Sequence, residues 1–460
     1  MTAFFYTLSN KLGHIINRQR LYLFIAVIIA IFLMASCQLA KNKAKEKSTA
    51  DRNSSFLSIP TLPPISKADA ERLNKACELW YDSALLKGGF NGGMLVAKNG
   101  TIVFEKYTGT GHLPGNDLIT AITPLHIASV SKTFTAMAVL KLWQDGKLNI
   151  DDTLSKYIPR FNYPGVTIRS LLCHRSGLPN YLYFMESLGW DKKIAVTNED
   201  VLNNLIDNKN ILTNISSPNT HFTYCNTNYA LLALLIERVS GIKYASYLQQ
   251  TFFDPLLMKN TFVFDSSQIA KAAPSYDWRG VLIPLGYLDM VYGDKNIYTT
   301  PQDLLKWDRA LVSNSIFTPK TLEQAYTPYS NEKAGTRNYG LGWRMNIYPD
   351  GKKTIYHNGW WHGSNASFIR LLKENATIIV IGNKYNRSIY HAKMLSDLFG
   401  SYYSNEEDEE NDNLKSTDSI HVVPIATRNA LPTTLSKINA HLKAILKDKN
   451  KLNTHSKNSN

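Results

Sequence analysis

The sequence predicts an α/β sandwich in which one antiparallel sheet is formed by both chain ends and a mainly helical region is inserted between them. Three observations carry this. Near the start of the folded region, Met94-Leu95-Val96-Ala97 and Ile102-Val103-Phe104 flank Asn99-Gly100, the signal of a tight hairpin turn. Near its end, Phe368-Ile369-Arg370-Leu371-Leu372 and Ile378-Ile379-Val380-Ile381 flank a polar turn at Lys373 to Asn375. Between the two hairpins, roughly from Leu125 to Trp343, apolar runs at helical spacing alternate with loops.

The chain has 460 residues, 44% of them hydrophobic, which is ample for a core and excludes a wholly disordered protein. Four cysteines over this length exclude a disulfide scaffold. The net charge of +14 comes largely from terminal lysines, Lys41 to Lys47 at one end and Lys437 to Lys457 at the other. Basic tails of this kind are usually solvated, and no zinc-finger spacing or RNA-binding aromatic motif accompanies them, so nucleic acid is not an expected partner.

Residues 1–36 read as a signal peptide or membrane anchor. Lys11, Arg18 and Arg20 precede the apolar run Leu21 to Ala35, which is short for a full span of about 20 residues. Met34-Ala35-Ser36-Cys37 resembles a bacterial lipobox, making Cys37 the candidate lipid-attachment residue. An uncleaved anchor is the alternative, and lysines just after Cys37 sit awkwardly with it. Both readings leave the bulk of the chain membrane-tethered and outside the cytoplasm. Residues 37–65 read as a tether, 66–403 as the folded domain, and 404–460 as a charged polar tail. Cys77, Cys173 and Cys225 are expected to be free and packed.

Ser129-Val130-Ser131-Lys132 fits S-x-x-K, a weak pattern that also occurs at Ser240 and Ser330. Only Ser129 opens a long apolar helical run, ending at Asp145-Gly146. Residues three apart share a helix face, so Lys132 lies beside Ser129 and can activate its hydroxyl. A serine at a helix start also has unpaired N–H groups and the positive dipole end nearby, suited to an oxyanion. A plain N-cap serine would fit the same residues.

Tyr224-Cys225-Asn226 precedes a second apolar helix, Tyr229 to Ser240, stopped by Gly241. A phenol near a lysine can relay a proton and an Asn amide can hold a substrate amide, although a capped loop with a packed Tyr accounts for the pattern equally. His357-Asn358-Gly359, followed by Trp360-Trp361-His362, precedes the C-terminal hairpin and is expected on an edge strand, where Gly359 permits close backbone approach. No metal site is expected, because His357 and His362 lack a Cys, Asp or Glu cluster. His174 reads as a structural histidine.

In this order and context the three motifs resemble the serine β-lactamase and penicillin-binding-protein family of the class C type. The resemblance runs from about Leu73 to Phe399. It takes in Ile168 to Pro179, Ile297 to Leu304 and Tyr339-Gly340-Leu341-Gly342-Trp343. It implies a β-lactamase/transpeptidase-like sandwich and a two-step acyl transfer without a cofactor. Ser129 would be the acylated nucleophile, Lys132 its partner and Tyr224 the proton-handling phenol. Asn226, His357 and Gly359 would bind substrate, and the N–H groups of Ser129 and Trp360 would form the oxyanion hole. The implied partner is a small peptide of D-Ala or other D-amino-acid type, an ester, or a cell-wall-derived or β-lactam substrate. A non-catalytic envelope binding or sensing module is the alternative. His357 stands where the family commonly has Lys, which favours a D-peptidase or esterase over an efficient β-lactamase.

Overall fold

The computed structural model describes residues 62–402, apart from 113–114, 214, 314 and 333–334. The apolar N-terminal run, Cys37, the expected tether up to residue 61 and the charged tail lie outside the described residues. No helix among the described residues is long and apolar enough to cross a membrane.

Helix α1 (Lys67–Trp80) starts where Ser66 accepts a hydrogen bond from the Asp69 N–H at 3.1 Å. Its Leu73, Ala76, Cys77 and Trp80 recur at helical spacing and are buried together. Strands β1 (Gly92–Lys98) and β2 (Thr101–Thr108) follow. Asn99 and Gly100 join them with φ of 52° and 74°, the two positive angles that a type I′ turn requires.

The inserted region contributes α2 (Ser131–Gln144), α3 (Tyr181–Ser187), α4 (Asn226–Ser240) and α5 (Pro301–Val312). The chain then returns to the sheet as β3 (Arg337–Tyr339), β4 (Arg344–Ile347), β5 (Lys353–Trp361), β6 (Ser364–Leu371) and β7 (Ala376–Gly382). The seven strands lie in the order β2-β1-β7-β6-β5-β4-β3, every neighbour antiparallel. Pairing of β1 with β7, from Gly92 opposite Gly382 to Lys98 opposite Ala376, joins the two ends of the domain. The fold expected from the two hairpins and the inserted helices is the fold observed.

Every residue of β6 and β7 is buried, because layers cover both sheet faces. On one face α1 and the 3₁₀ segment Arg387–Leu398 pack with Met94, Val96, Ile378 and Val380. On the other lies α5, held by a buried ion pair in which Arg370 Nε of β6 donates to Asp308 Oδ1 at 2.5 Å. Thr377 of β7 donates to the other oxygen of the same carboxylate at 2.7 Å. Further inside, α2 is buried almost all round, and its Phe134 stacks on Trp307 of α5 with centroids 4.5 Å apart.

Two points of the sequence reading are refined. The strand carrying His357 is not a simple edge strand: Thr354 to Tyr356 pair with β4 as well as β6, whereas His357 to Trp361 pair with β6 alone. Its second half is therefore open on one side. The helix after Tyr224 begins at Asn226 rather than at Tyr229. Cys77, Cys173 and Cys225 are free and buried.

Ile378 is fully buried between the two covering layers. Ile378→Ala is expected to cost about 2–5 kcal/mol through lost burial and a residual cavity. Denaturant titration should show the midpoint fall at unchanged slope, and a loss below about 1 kcal/mol would contradict a close-packed sheet centre.

Candidate active site

Ser129 sits in a single 3₁₀ turn, Ala128–Val130, directly ahead of α2. Ala128 is buried with φ of 45°, a left-handed conformation unusual for a residue carrying a Cβ. That bend lets the chain leave the short strand Leu125–His126 and present Ser129 at the start of the helix. One turn on, Lys132 is fully buried yet reaches three oxygens. Its Nζ donates to Ser129 Oγ at 3.1 Å, to Asn226 Oδ1 at 2.7 Å and to the Asp294 carbonyl at 2.8 Å. An ammonium has three N–H donors, and all three have acceptors.

Asn226 is the first residue of α4, and Tyr224 lies just before it. The Tyr224 ring centroid is 5.0 Å from Lys132 Nζ and 5.2 Å from Arg344 Cζ of β4. His174, buried with φ of 58°, holds this segment: its Nδ1 accepts from the Cys225 N–H at 3.1 Å, and its ring lies 4.3 Å from that of Tyr224. Its structural reading agrees with this place, and it also shapes the wall behind Tyr224. The Cys225 thiol points away, donating to the Leu178 carbonyl at 3.4 Å, and burial pushes its pKa up. Ser131 faces elsewhere, its Oγ accepting from the Ile297 N–H at 3.1 Å.

Strand β5 closes the other side. A Cβ at Gly359 would lie 2.2 Å from the Ile127 carbonyl oxygen and 3.2 Å from the Ser129 nitrogen, so only glycine allows this approach. Trp361 and Ser364 close the two-residue turn His362-Gly363. In such a hairpin the main-chain groups of Trp361, Gly359 and His357 face β6, and those of Trp360 and Asn358 face the opposite side. β4 no longer pairs there, so the Trp360 N–H points into the open side of the strand beside Ser129. The Trp360 indole donates to the His362 carbonyl at 2.8 Å.

His357 departs from its expected place against a substrate. It is fully buried, with Nδ1–H donating to the Asn358 carbonyl at 2.7 Å and Nε2 accepting from the Tyr339 hydroxyl at 3.2 Å. Burial, with the Arg344 and Lys132 charges, drives its pKa well below the usual range. A neutral imidazole inside the wall presents no charge to a ligand. The cation beside Tyr224 on this wall is Arg344, which sequence reading overlooked because β4 carries no motif. Ala128, Tyr339 and Asp294 were likewise missed: the first acts through its backbone angle, the others through long-range contacts.

Residues 82–406 match the family described as Beta-lactamase. The chain belongs to the beta-lactamase family. That membership gives it a serine-hydrolase-like scaffold. Penicillin-binding protein 4* of Bacillus subtilis (strain 168) is 30% identical over 337 residues, covering 69% of this chain and 74% of that protein. The octameric penicillin-binding protein homologue from Pyrococcus abyssi superposes with a TM-score of 0.61 at 25% identity, covering 71% of this chain and 77% of that one. A class C beta-lactamase superposes with the same TM-score, 0.61, at 18% identity over 75% of this chain and all of that one, which shows the shared fold.

Three buried histidines tie this site to pH. Burial lowers the pKa of His174 and His357 well below the ordinary value and that of His126 to about 3. As pH falls through about 6.5 the unfolded chain takes up protons that the native state refuses, so stability is complete above that pH and is lost below it. Each histidine is expected to cost up to about 1.4 kcal/mol per pH unit in that window. Denaturation midpoints at pH 7.5, 6.5 and 5.5 check this, and a midpoint that rises on acidification would contradict it.

Proposed function

We propose that this protein is a serine acyl hydrolase acting through an acyl-enzyme on Ser129. The observation that carries the reading is the Lys132 ammonium on Ser129 Oγ at 3.1 Å, with its other donors on Asn226 and the Asp294 carbonyl. Lys132 holds the hydroxyl in place beside the open half of β5. A substrate carbonyl attacked by Ser129 would place its developing oxyanion between the N–H groups of Ser129 and Trp360. For the attack Lys132 would act as the amine, taking the Ser129 hydroxyl proton to become the ammonium; Tyr224 would give its phenol proton to the leaving group and regain one from Lys132. Negative charge developing on the Tyr224 oxygen in that transfer is met by Lys132 and Arg344. Water would then release the acyl group by the reverse route.

The open half of β5 suits an extended peptide pairing its backbone with Asn358 and Trp360, while Asn226 holds an amide. Because His357 is neutral and enclosed, the charge that a substrate carboxylate would meet beside Tyr224 is the Arg344 guanidinium. This favours a peptide ending in a D-amino acid, of the D-Ala type, with esters and β-lactams as slower surrogates. The name of the Bacillus relative, a penicillin-binding protein, supports testing a β-lactam as the covalent probe. We place the domain outside the cytoplasm, tethered by the N-terminal segment and lipid on Cys37; the basic-then-apolar order and the Cys after small residues support this.

Intact-mass measurement after incubation with benzylpenicillin is expected to show one penicilloyl adduct on the wild-type protein and none on Ser129→Ala. Persistence of the adduct for minutes or longer would mark a slow-deacylating peptidase. Lys132→Ala is expected to slow adduct formation by at least about 100-fold, within the range of general acid–base contributions. Neither adduct nor release of D-alanine from a peptide ending in D-Ala-D-Ala would overturn the reading and favour a non-catalytic binding module.

A further inference from the structure

The carbonyl that receives Lys132 belongs to Asp294, and the next residue is a second buried lysine. Lys295 is 2% exposed and Asp294 1% exposed. Lys295 Nζ donates to the Tyr181 hydroxyl of α3 and lies 3.5 Å from Asp294 Oδ2. The Tyr181 hydroxyl in turn donates to that same Oδ2 at 2.8 Å. On its other side, the Lys295 ammonium lies 4.7 Å from the ring centroid of Trp361, at the end of β5. One side chain thus touches both the loop that holds Lys132 and the strand that carries Trp360.

Stability alone is a weak reason for such a pair. Burying two charges costs several kcal/mol each, and apolar replacements of buried ion pairs are often neutral or stabilising. Asp294 Oδ1 has no hydrogen-bond partner among the described residues, so the carboxylate is not fully satisfied even here. What the pair does supply is two opposed, fixed charges behind the Asp294 carbonyl that receives Lys132. The other titratable groups facing Lys132 are His174, His357, Cys225, Tyr224 and Tyr229, with Arg344 beyond Tyr224. Burial holds both histidines, the thiol and the Tyr229 phenol in their neutral forms. Asp294 is the acidic residue whose own carbonyl receives Lys132, and Lys295 is the cation set against its carboxylate. Asp289, further along the loop, is engaged by the Trp361 indole at 2.5 Å and by His362 at 3.0 Å.

We propose that Lys295 is a positioning residue for Lys132: with Asp294 and Tyr181 it fixes the carbonyl that receives the Lys132 ammonium, and its positive charge offsets the Asp294 carboxylate so that a proton can leave the Ser129–Lys132 pair. The inference rests on the proposed role of Lys132 as the partner of Ser129. Without Lys295, the bare carboxylate would hold the proton on that pair. With both charges removed, the field at Ser129 returns close to its original value.

The test uses the full chain carrying Ser129→Cys, in which the thiol at position 129 reports the local field. Its alkylation rate with iodoacetamide is followed against pH by peptide mass, which separates it from the buried cysteines. Lys295→Met is expected to move the alkylation midpoint up by on the order of one pH unit, from the loss of a unit charge in a partly desolvated site. Adding Asp294→Asn is expected to bring it back to within about 0.3 unit of the parent, since opposite charges then leave together. Tyr181→Phe removes a hydrogen bond but no charge and should leave the midpoint in place. Lys295→Gln replaces Lys295→Met if that variant does not fold, as judged by circular dichroism. An unchanged midpoint in the Lys295 variant, a shift that survives in the double variant, or an equal shift in Tyr181→Phe would overturn the proposal. The titration needs no substrate, so its outcome is separate from whether benzylpenicillin acylates Ser129.

Discussion

The site depends on one buried ammonium. Lys132 is fully enclosed, and a lysine so placed is tolerable only if each N–H finds an acceptor. Its three acceptors come from three parts of the chain: Ser129 from the turn before α2, Asn226 from the start of α4, and Asp294 from the loop ahead of α5. Satisfying that one charge fixes where the two long helices of the inserted region begin relative to each other. Displacing any of the three would leave a buried donor unpaired, at about 1–3 kcal/mol or more for a charged group. The requirement that stabilises the lysine is thus the same one that positions Ser129, the proposed nucleophile.

The sheet answers a different need, the placement of an open strand beside Ser129. Pairing of β1 with β7 closes the domain through its ends and leaves β6 and β7 buried on both faces. β5 inherits a rigid partner in β6 while losing β4 halfway along. Its exposed half is backed by a core rather than by solvent, so its N–H groups are aimed before any ligand arrives. Gly359 sets how near that strand can come, because a methyl group there would collide with the Ile127 carbonyl.

Much of this was legible in the sequence. Asn99-Gly100 announced β1 and β2 because positive φ at two successive positions has few residue solutions, and both angles are found there. Ser129, Lys132 and Asn226 were legible because their spacing on or before helices is local information, and the structure brings them within hydrogen-bonding distance. His357 was misplaced because its motif position says which strand it occupies, not which way the side chain faces. Burial beside Tyr339 decides that, and Tyr339 lies 18 residues away on another strand. Arg344, Asp294 and Lys295 carry no local signature. Each gains its place from what folds against it, and periodicity cannot report that.

The enclosure of His357 has a chemical consequence for the family scaffold. A cation standing on β5 would meet a ligand from the strand side, next to the oxyanion donors. Here His357 presents no charge from the strand, and a cation of β4, Arg344, lies over the Tyr224 ring. A carboxylate drawn to Arg344 approaches the phenol rather than the Trp360 N–H. In the proposed reading, the side that handles the proton and the side that would receive a carboxylate coincide, and a leaving group that bears its own carboxylate would be held where its proton is delivered. That coincidence fits release of a terminal amino acid better than opening of a ring whose leaving nitrogen stays attached to the acyl group.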